Sequence, residues 1–169
     1  LSEIGLLMIE STAVSLTAAL LCELMKKKVK VIFCDEQHNP HSELLPYYGS
    51  HDTSIKLKKQ IHWKDSIKET VWTEIVAEKI RKQAQHLVEK KYTAQADMLV
   101  QYGKELEAAD ATNREGHAAK VYFNALFGVN FTRSEENSIN AALNYGYGII
   151  LSCFNREIVA SGYMTQLGL

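Results

Sequence analysis

Both prolines of this chain, Pro40 and Pro46, fall in its first third, so the rest of the 169 residues holds none of the one residue type that forbids a helix interior. The apolar pattern uses that freedom. Ile67, Val71, Ile75, Ile80, Ala84 and Leu87 recur at intervals of three to five, which predicts one long amphipathic helix. Thr93 to Tyr102 reads as a shorter helix ended by Gly103, and Asn113 to Leu126 as another stopped by Gly128. A last long helix is expected from about Asn137 to Gly162, with Ile139, Ala142, Leu143, Gly146, Ile149, Ile150 and Cys153 on one face.

The segment ahead of this tract has a different period. Ile4 to Ile9 and Val29 to Cys34 are short continuous apolar runs, the second rich in β-branched residues, and both read as buried strands. Between them Ser15 is positioned to cap a helix carrying Leu16, Ala19, Leu20 and Leu24. The second strand ends in Asp35-Glu36, and Asn39-Pro40 marks a turn. The fold class expected is α+β, with a small β-containing N-terminal domain over residues 1–50 and a larger all-helical domain over residues 52–169. Tyr47-Tyr48-Gly49-Ser50 is the expected junction, and no internal repeat is visible.

With 46% hydrophobic and 23% charged residues the composition is that of a globular chain, which excludes a disordered or low-complexity segment. The longest apolar runs, Ala18 to Cys22 and Gly148 to Phe154, are far short of the ~20 residues a bilayer span needs, so a soluble, cytoplasmic protein is expected, without membrane partners. Cys22, Cys34 and Cys153 are odd in number and far apart. They read as small buried hydrophobes in a reducing compartment, neither disulfide partners nor zinc ligands. Leu1 and Leu169 are expected to be cuts through a longer protein. The net charge of −1 argues against a generally basic nucleic-acid footprint. Any such surface is expected to be local, drawn from Lys26–Lys28 with Lys30, from Lys56, Lys58 and Lys59, from Lys79, Arg81 and Lys82, or from Lys90-Lys91. Solvated helix faces and ends are the commoner explanation of such clusters.

Chemistry is best argued for the stretch from Asp110 to Phe123. Helical steps from Glu115 reach Ala119, then Tyr122 or Phe123, then Leu126, which puts a carboxylate on the stripe that packs inward. A charge there has to be paired, protonated or bound to a metal, because burying it alone costs several kcal/mol or more. Gly116, Ala118 and Ala119 beside it would let a second helix or a phosphate backbone approach. The same spacing has a structural explanation, since Thr112-x-x-Glu115 matches a capping box. His117 lies two residues from Glu115 and does not share its face, and His38, His41, His51, His62 and His86 have no ligand spacing. Neither a Gly-x-Ser-x-Gly motif nor a Gly-rich phosphate loop occurs. Asp35-Glu36 stands where α/β sheets place acidic site residues, although a solvated turn explains it as well.

The run Asn113-Arg-Glu-Gly-His-Ala-Ala-Lys-Val-Tyr-Phe123, followed by Ile139-Asn-Ala-Ala-Leu-Asn-Tyr-Gly-Tyr-Gly148, resembles the CRISPR-associated adaptation integrases, in the branch that works beside a single-protein effector nuclease. Ile32 to Asp35, Pro46 to Gly49 with His51-Asp52, and Met164 to Gly168 sit where that family has similar segments. The resemblance implies a β-rich N-terminal domain, a helical catalytic domain, a homodimer, and a small adaptation partner protein that bridges two dimers. The implied reaction is an endonuclease and integrase reaction on double-stranded DNA, in which 3′ hydroxyls of a short foreign spacer attack the repeat of a CRISPR array. The implied metal site holds Mg²⁺ or Mn²⁺ between a glutamate, a histidine and a second acidic residue. Glu115 matches the glutamate, as catalytic and metal-binding residue. The histidine is expected within a few residues after Leu169 and the acidic residue further on. Asn144 and Tyr145 match an Asn-Tyr of the family's last core helix, where they would line the site or serve packing. Arg114, Lys56, Lys58 and Lys59 are candidates for phosphate contact. The alternatives are a non-catalytic DNA-binding or dimerisation module in which Glu115 is only a helix cap, and a signalling-type α/β fragment built around Asp35-Glu36.

Overall fold

A computed structural model of the chain describes residues 3–47 and 50–168. In chain order its regular elements are β1 (Leu6–Ile9), α1 (Ala18–Lys26), β2 (Lys30–Cys34), β3 (Pro40–Glu43), α2 (Thr53–Ile61), α3 (Asp65–Glu89), α4 (Thr93–Lys104), α5 (Arg114–Phe127) and α6 (Ser138–Ala160). Single 3₁₀ turns lie at Ala108–Asp110 and Thr165–Leu167. The fold is α+β, a small sheet followed by helices. Among the described residues no helix is long and apolar enough to cross a membrane.

The elements form two compact units, Leu1–Ile61 with Glu136–Gly168, and His62–Glu135. This differs from the expected division into residues 1–50 and 52–169, because α6 returns to the sheet and α2 stays with it. Of the expected junction, Tyr48 and Gly49 lie outside the described residues.

In the sheet unit, β1 and β2 pair in parallel across the α1 crossover, and β3 joins the other edge of β2 antiparallel. Leu24, Val29 and Val31 are buried there, with Leu7, Leu20 and Phe33 packed around them. The crossover helix starts later than expected: the cap is Thr17, whose hydroxyl accepts the Leu20 N–H at 3.2 Å, and Ser15 is not used. The strand-helix-strand reading also missed β3. Asp35 Oδ1 accepts the N–H groups of Gln37 and Asn39, which closes a tight turn and lets Pro40 open an edge strand, where a missing donor is harmless. Asp35 is therefore engaged in its own turn.

A buried polar cluster fastens α6 to this sheet. Lys30 Nζ donates to Glu43 Oε2 at 2.5 Å and to the Ser152 carbonyl, and the two charged side chains are only 3% and 10% exposed. Glu43 also accepts from Ser152 Oγ at 2.7 Å and from the Asn155 amide. Where α6 passes β3, a Cβ on Gly148 would meet Pro40 Cβ at 3.1 Å, so the missing side chain allows the close approach. Gln60 on α2 is buried and bonds both backbone groups of Met164, which fixes the segment after α6. The inward face of α6 is thus Tyr145, Gly148, Ser152 and Asn155. The expected apolar face is not the buried one: Ile139, Ile150 and Cys153 are exposed, as are Leu151 and Phe154. Cys22 is exposed too, and of the three cysteines only Cys34 is buried. Its thiol is pushed up by burial and by the carboxylates of Glu10 and Asp35, which keeps it protonated and inert.

In the helical unit, Val76, Ile80, Ala84 and Leu87 of α3 pack with Ala96 and Leu99 of α4 and Ala118 of α5. The apolar stripe of α3 is used only in this second half, and Ile67, Val71 and Ile75 are exposed. Helix α4 runs through Gly103 to Lys104 instead of stopping at the glycine. Helix α5 ends as expected, with Gly128 at φ +102 as its C-cap.

The buried Lys30–Glu43 cluster predicts a pH signature. Burial pushes the Glu43 carboxyl up, but hydrogen bonds from Lys30, Ser152 and Asn155 and the Lys30 charge outweigh it and hold the group below its ordinary value. A carboxyl lowered by folding contributes stability that is present above its unfolded value, ~4.3, and is lost as pH falls through the folded value. Urea denaturation from pH 6 downward should show the native chain losing stability below ~pH 4, with a smaller loss in that window for Glu43→Gln, in which Asp52 and Glu78 are still held low. Lys30→Met, which strands a buried carboxylate, should cost about 3 kcal/mol or more at pH 7.

Candidate functional site at the start of α5

The turn that delivers α5 is conformationally unusual. Ala109, Asp110 and Asn113 all have positive φ, 54°, 55° and 52°, a region that costs a residue with a Cβ roughly 1–2 kcal/mol. Three hydrogen-bonding groups hold it. Ala109 N–H donates to Thr73 Oγ1 on α3 at 2.8 Å. The Asp110 carboxylate accepts the Arg114 N–H at 2.6 Å and the Glu115 N–H at 3.1 Å through its two oxygens. Asn113 Oδ1 accepts the Gly116 N–H at 3.3 Å and caps the helix. Aspartate and asparagine tolerate the left-handed region better than most residues, and their oxygens satisfy the orphan amides of the first turn.

The expected capping box is therefore absent. Asn113 takes the place assigned to Thr112, whose hydroxyl is buried without a hydrogen-bond partner. The Glu115 carboxylate does not reach back to the cap. It accepts a hydrogen bond from Lys79 Nζ on α3, with the glutamate side chain 28% and the lysine side chain 47% exposed. The inward stripe of α5 is centred on Ala118 and Phe123, and Glu115 stands at its margin, paired as a charge at an apolar edge has to be. The space over Gly116 serves a nearer neighbour than a second helix or a phosphate: a Cβ there would meet Asn113 Oδ1 at 2.6 Å.

The contact that sets Glu115 belongs to a ladder. Thr73 meets Ala109, Lys79 meets Glu115, and His86 Nδ1 meets the Tyr122 hydroxyl at 2.8 Å, each pair 36 residues apart in sequence. A constant positive offset means that α3 and α5 run parallel, with α4 as the antiparallel element between them in the chain. Sequence reasoning missed Lys79, which it placed in a basic cluster, and it missed Asp110 and the His86–Tyr122 pair. The sequence did carry one local signal, an aspartate three residues ahead of an asparagine cap.

The other candidate residues fall as follows. Arg114 pairs with Glu105 Oε2 at 2.9 Å and lies over the Tyr102 ring at 5.6 Å, so its guanidinium is engaged inside the helical unit. His117 faces the same Tyr102, with ring centroids 6.1 Å apart. Lys56 pairs with Asp52 at 3.1 Å and lies 5.9 Å from the Tyr163 ring, whereas Lys58 and Lys59 are exposed on α2. The Tyr145 hydroxyl donates to Met8 Sδ at 2.8 Å, a packing role, and Asn144 is exposed on α6. Glu115 and Arg114 thus belong to the helical unit, and Lys56, Lys58, Lys59, Asn144 and Tyr145 to the sheet unit. Among the described residues no group of three or more His, Cys, Asp or Glu is placed to hold a metal ion. Glu115 offers one hard oxygen donor, which is too few for Mg²⁺ or Mn²⁺ by itself.

The sequence profile described as "CRISPR associated protein Cas1" matches residues 1–169. The chain is 36% identical over all 169 residues to a protein of Neisseria meningitidis serogroup C (strain 8013) named CRISPR-associated endonuclease Cas1, and it spans 56% of that relative's length. Among solved structures it is similar to a chain of a "Partial Cas6-RT-Cas1--Cas2 complex", with a TM-score of 0.61 and 17% identity over 99% of this chain and 56% of that one. At that identity the likeness speaks for the fold alone.

Asp110 should prove the main support of the α5 start. Asp110→Ala removes the acceptor of two amides and places alanine at a positive φ, so chemical denaturation should show a loss of about 2 kcal/mol. Asp110→Asn keeps the backbone conformation and one good acceptor, and should lose about half as much.

Proposed function

This chain belongs to the CRISPR-associated Cas1 family, and from that premise we propose that it is the Glu115-bearing part of a divalent-metal-dependent DNA endonuclease and integrase that inserts short foreign DNA into a CRISPR array. The observation that carries the reading is the state of Glu115. Its amide is held by Asp110 and its carboxylate is drawn to Lys79, so the side chain is aimed from both ends without itself serving as the helix cap. The module reading, in which Glu115 is only a cap, loses its motive because Asp110 and Asn113 do that work.

A carboxylate is the hard oxygen donor that Mg²⁺ and Mn²⁺ prefer, and such an ion lowers the barrier to hydroxyl attack on a phosphodiester by neutralising charge on the phosphoryl oxygens. The described residues do not make that site by themselves. In this reading the histidine and the second acidic ligand come from the parent protein outside residues 1–169, in keeping with a chain that spans 56% of the length of the relative it matches. What this chain contributes is a pre-aimed carboxylate on a rigid helix start, the arrangement that keeps reorganisation small when charge develops. Double-stranded DNA, a homodimer and a small adaptation partner protein bridging two dimers belong to the same proposal, as does a cytoplasmic location. The lysines of α2 are assigned to phosphate contact.

Two experiments on the complete protein test the reading. Glu115→Gln should abolish Mn²⁺-dependent joining of a labelled spacer to a repeat-containing plasmid, while thermal unfolding shifts by no more than the ~1 kcal/mol of a partly exposed ion pair. Retained joining with a large fall in melting temperature would make Glu115 structural. Replacing Lys58 and Lys59 by alanine should lower the slope of log DNA affinity against log salt by roughly one unit for each phosphate that is no longer neutralised.

A further inference from the structure

The most apolar face of α6 is not the one it buries. Its inward face, Tyr145, Gly148, Ser152 and Asn155, carries hydroxyls and an amide and no aliphatic side chain. On the outward side Tyr147, Leu151, Phe154 and Ile158 are 47%, 71%, 65% and 39% exposed. These four step by four, three and four residues along the helix, the spacing with which one helix presents a seam to another. We infer that this seam seats a second helix, supplied by the part of the parent protein that follows Leu169. The inference rests on the reading of residues 1–169 as part of a longer family member.

The character of the seam selects the kind of occupant. From Tyr147 to Ile158 it runs roughly 16 Å along the helix axis without a charge. The only charged residues of α6, Arg156 and Glu157, pair with each other at 3.0 Å. Such a face has nothing to offer a phosphate, and with a single arginine it lacks the Lys/Arg-rich flank by which an amphipathic helix holds a membrane surface. Beside the seam a cleft of about 400 Å³ opens between α6 and β3, lined by Pro40, His41, Gly148, Leu151, Phe154 and Ile158, where the side chains of a docked helix can interdigitate.

Area and tethering then separate a segment of the same protein from a second copy. Four side chains about half exposed offer roughly 400 Å², at ~100 Å² apiece, against the ~800 Å² that each partner of a stable complex buries. That is too little to hold an independent molecule. It suffices for a tethered segment, which loses no translational freedom on docking. The tether is already fastened at α6. Gln60 bonds both backbone groups of Met164, and the Thr165 hydroxyl donates to Asn155 Oδ1 at 2.7 Å, so the chain after α6 is kept against that helix. The matched Neisseria relative has the length to supply the occupant, since this chain spans 56% of it.

The test is thiol labelling of the complete protein carrying Leu151→Cys, by a pulse of N-ethylmaleimide followed by mass mapping of the labelled peptides. Native Cys22, exposed on α1, and native Cys34, buried, are the accessible and protected references in the same molecule. The introduced thiol should label about 10-fold more slowly than Cys22, or slower still, as a group reached only through local opening does. The protection should persist on roughly 100-fold dilution, because a tethered helix stays docked where a second copy dissociates. Labelling at the rate of Cys22 would leave the seam in water and overturn the inference. Protection lost on dilution would assign the seam to a second copy and overturn it equally. Leu151→Asp reads the same burial without a reagent: a carboxylate under a docked helix should lower the melting temperature of the complete protein by about 10 °C, and a shift within about 2 °C would count against the inference. Neither arm reads DNA joining. Failure here therefore leaves the reading of Glu115 to its own test, and a Glu115→Gln protein that still joins DNA leaves the seam standing.

Discussion

The parallel register of α3 and α5 is the constraint on which the candidate site depends. The helices are held together by the packing of Ile80, Ala84 and Leu87 with Leu99 and Ala118, where truncation of a single large side chain costs about 2–5 kcal/mol. Three polar rungs at a constant separation of 36 residues then fix the helices along their axes. Apolar packing resists sliding only weakly, because one methyl resembles the next. Directional bonds at both ends of the contact convert a packed pair of helices into a pair with one register, and that register places Lys79 opposite Glu115.

A similar division of labour appears in the sheet unit. Val31 and Ile32 are buried, as the continuous apolar run demands, but the position of α6 is decided by Lys30 and Glu43, two residue types seldom buried. Their desolvation is offset only because the Ser152 carbonyl, the Ser152 hydroxyl and the Asn155 amide complete the cluster. A hydrophobic pair of equal volume would hold the helix as firmly and would tolerate more than one placement. Gly148 against Pro40 adds a steric stop of the same kind.

The turn before α5 shows how backbone strain is placed where it serves a side chain. Positive φ at Ala109, Asp110 and Asn113 folds the chain tightly enough for both Asp110 oxygens to reach the amides of Arg114 and Glu115. Glu115 thereby emerges on a helix whose first amides are already satisfied, which leaves its carboxylate available to Lys79. The same carboxylate used in a capping box would be spent on its own backbone.

The amino-acid sequence alone determined the small sheet ahead of a helical tract and the extent of α5 with its glycine stop, because these follow from local period and local caps. Tertiary structure decided the rest. The exposed first half of the α3 stripe, the return of α6 to the sheet and the inward turn of its Ser152–Asn155 face depend on which element arrives opposite, and periodicity records only that a face is apolar. The same holds for the partners of Glu115. Lys79 reads as one more surface lysine until α3 and α5 are laid in register, since a pair 36 residues apart leaves no mark on the sequence at either end.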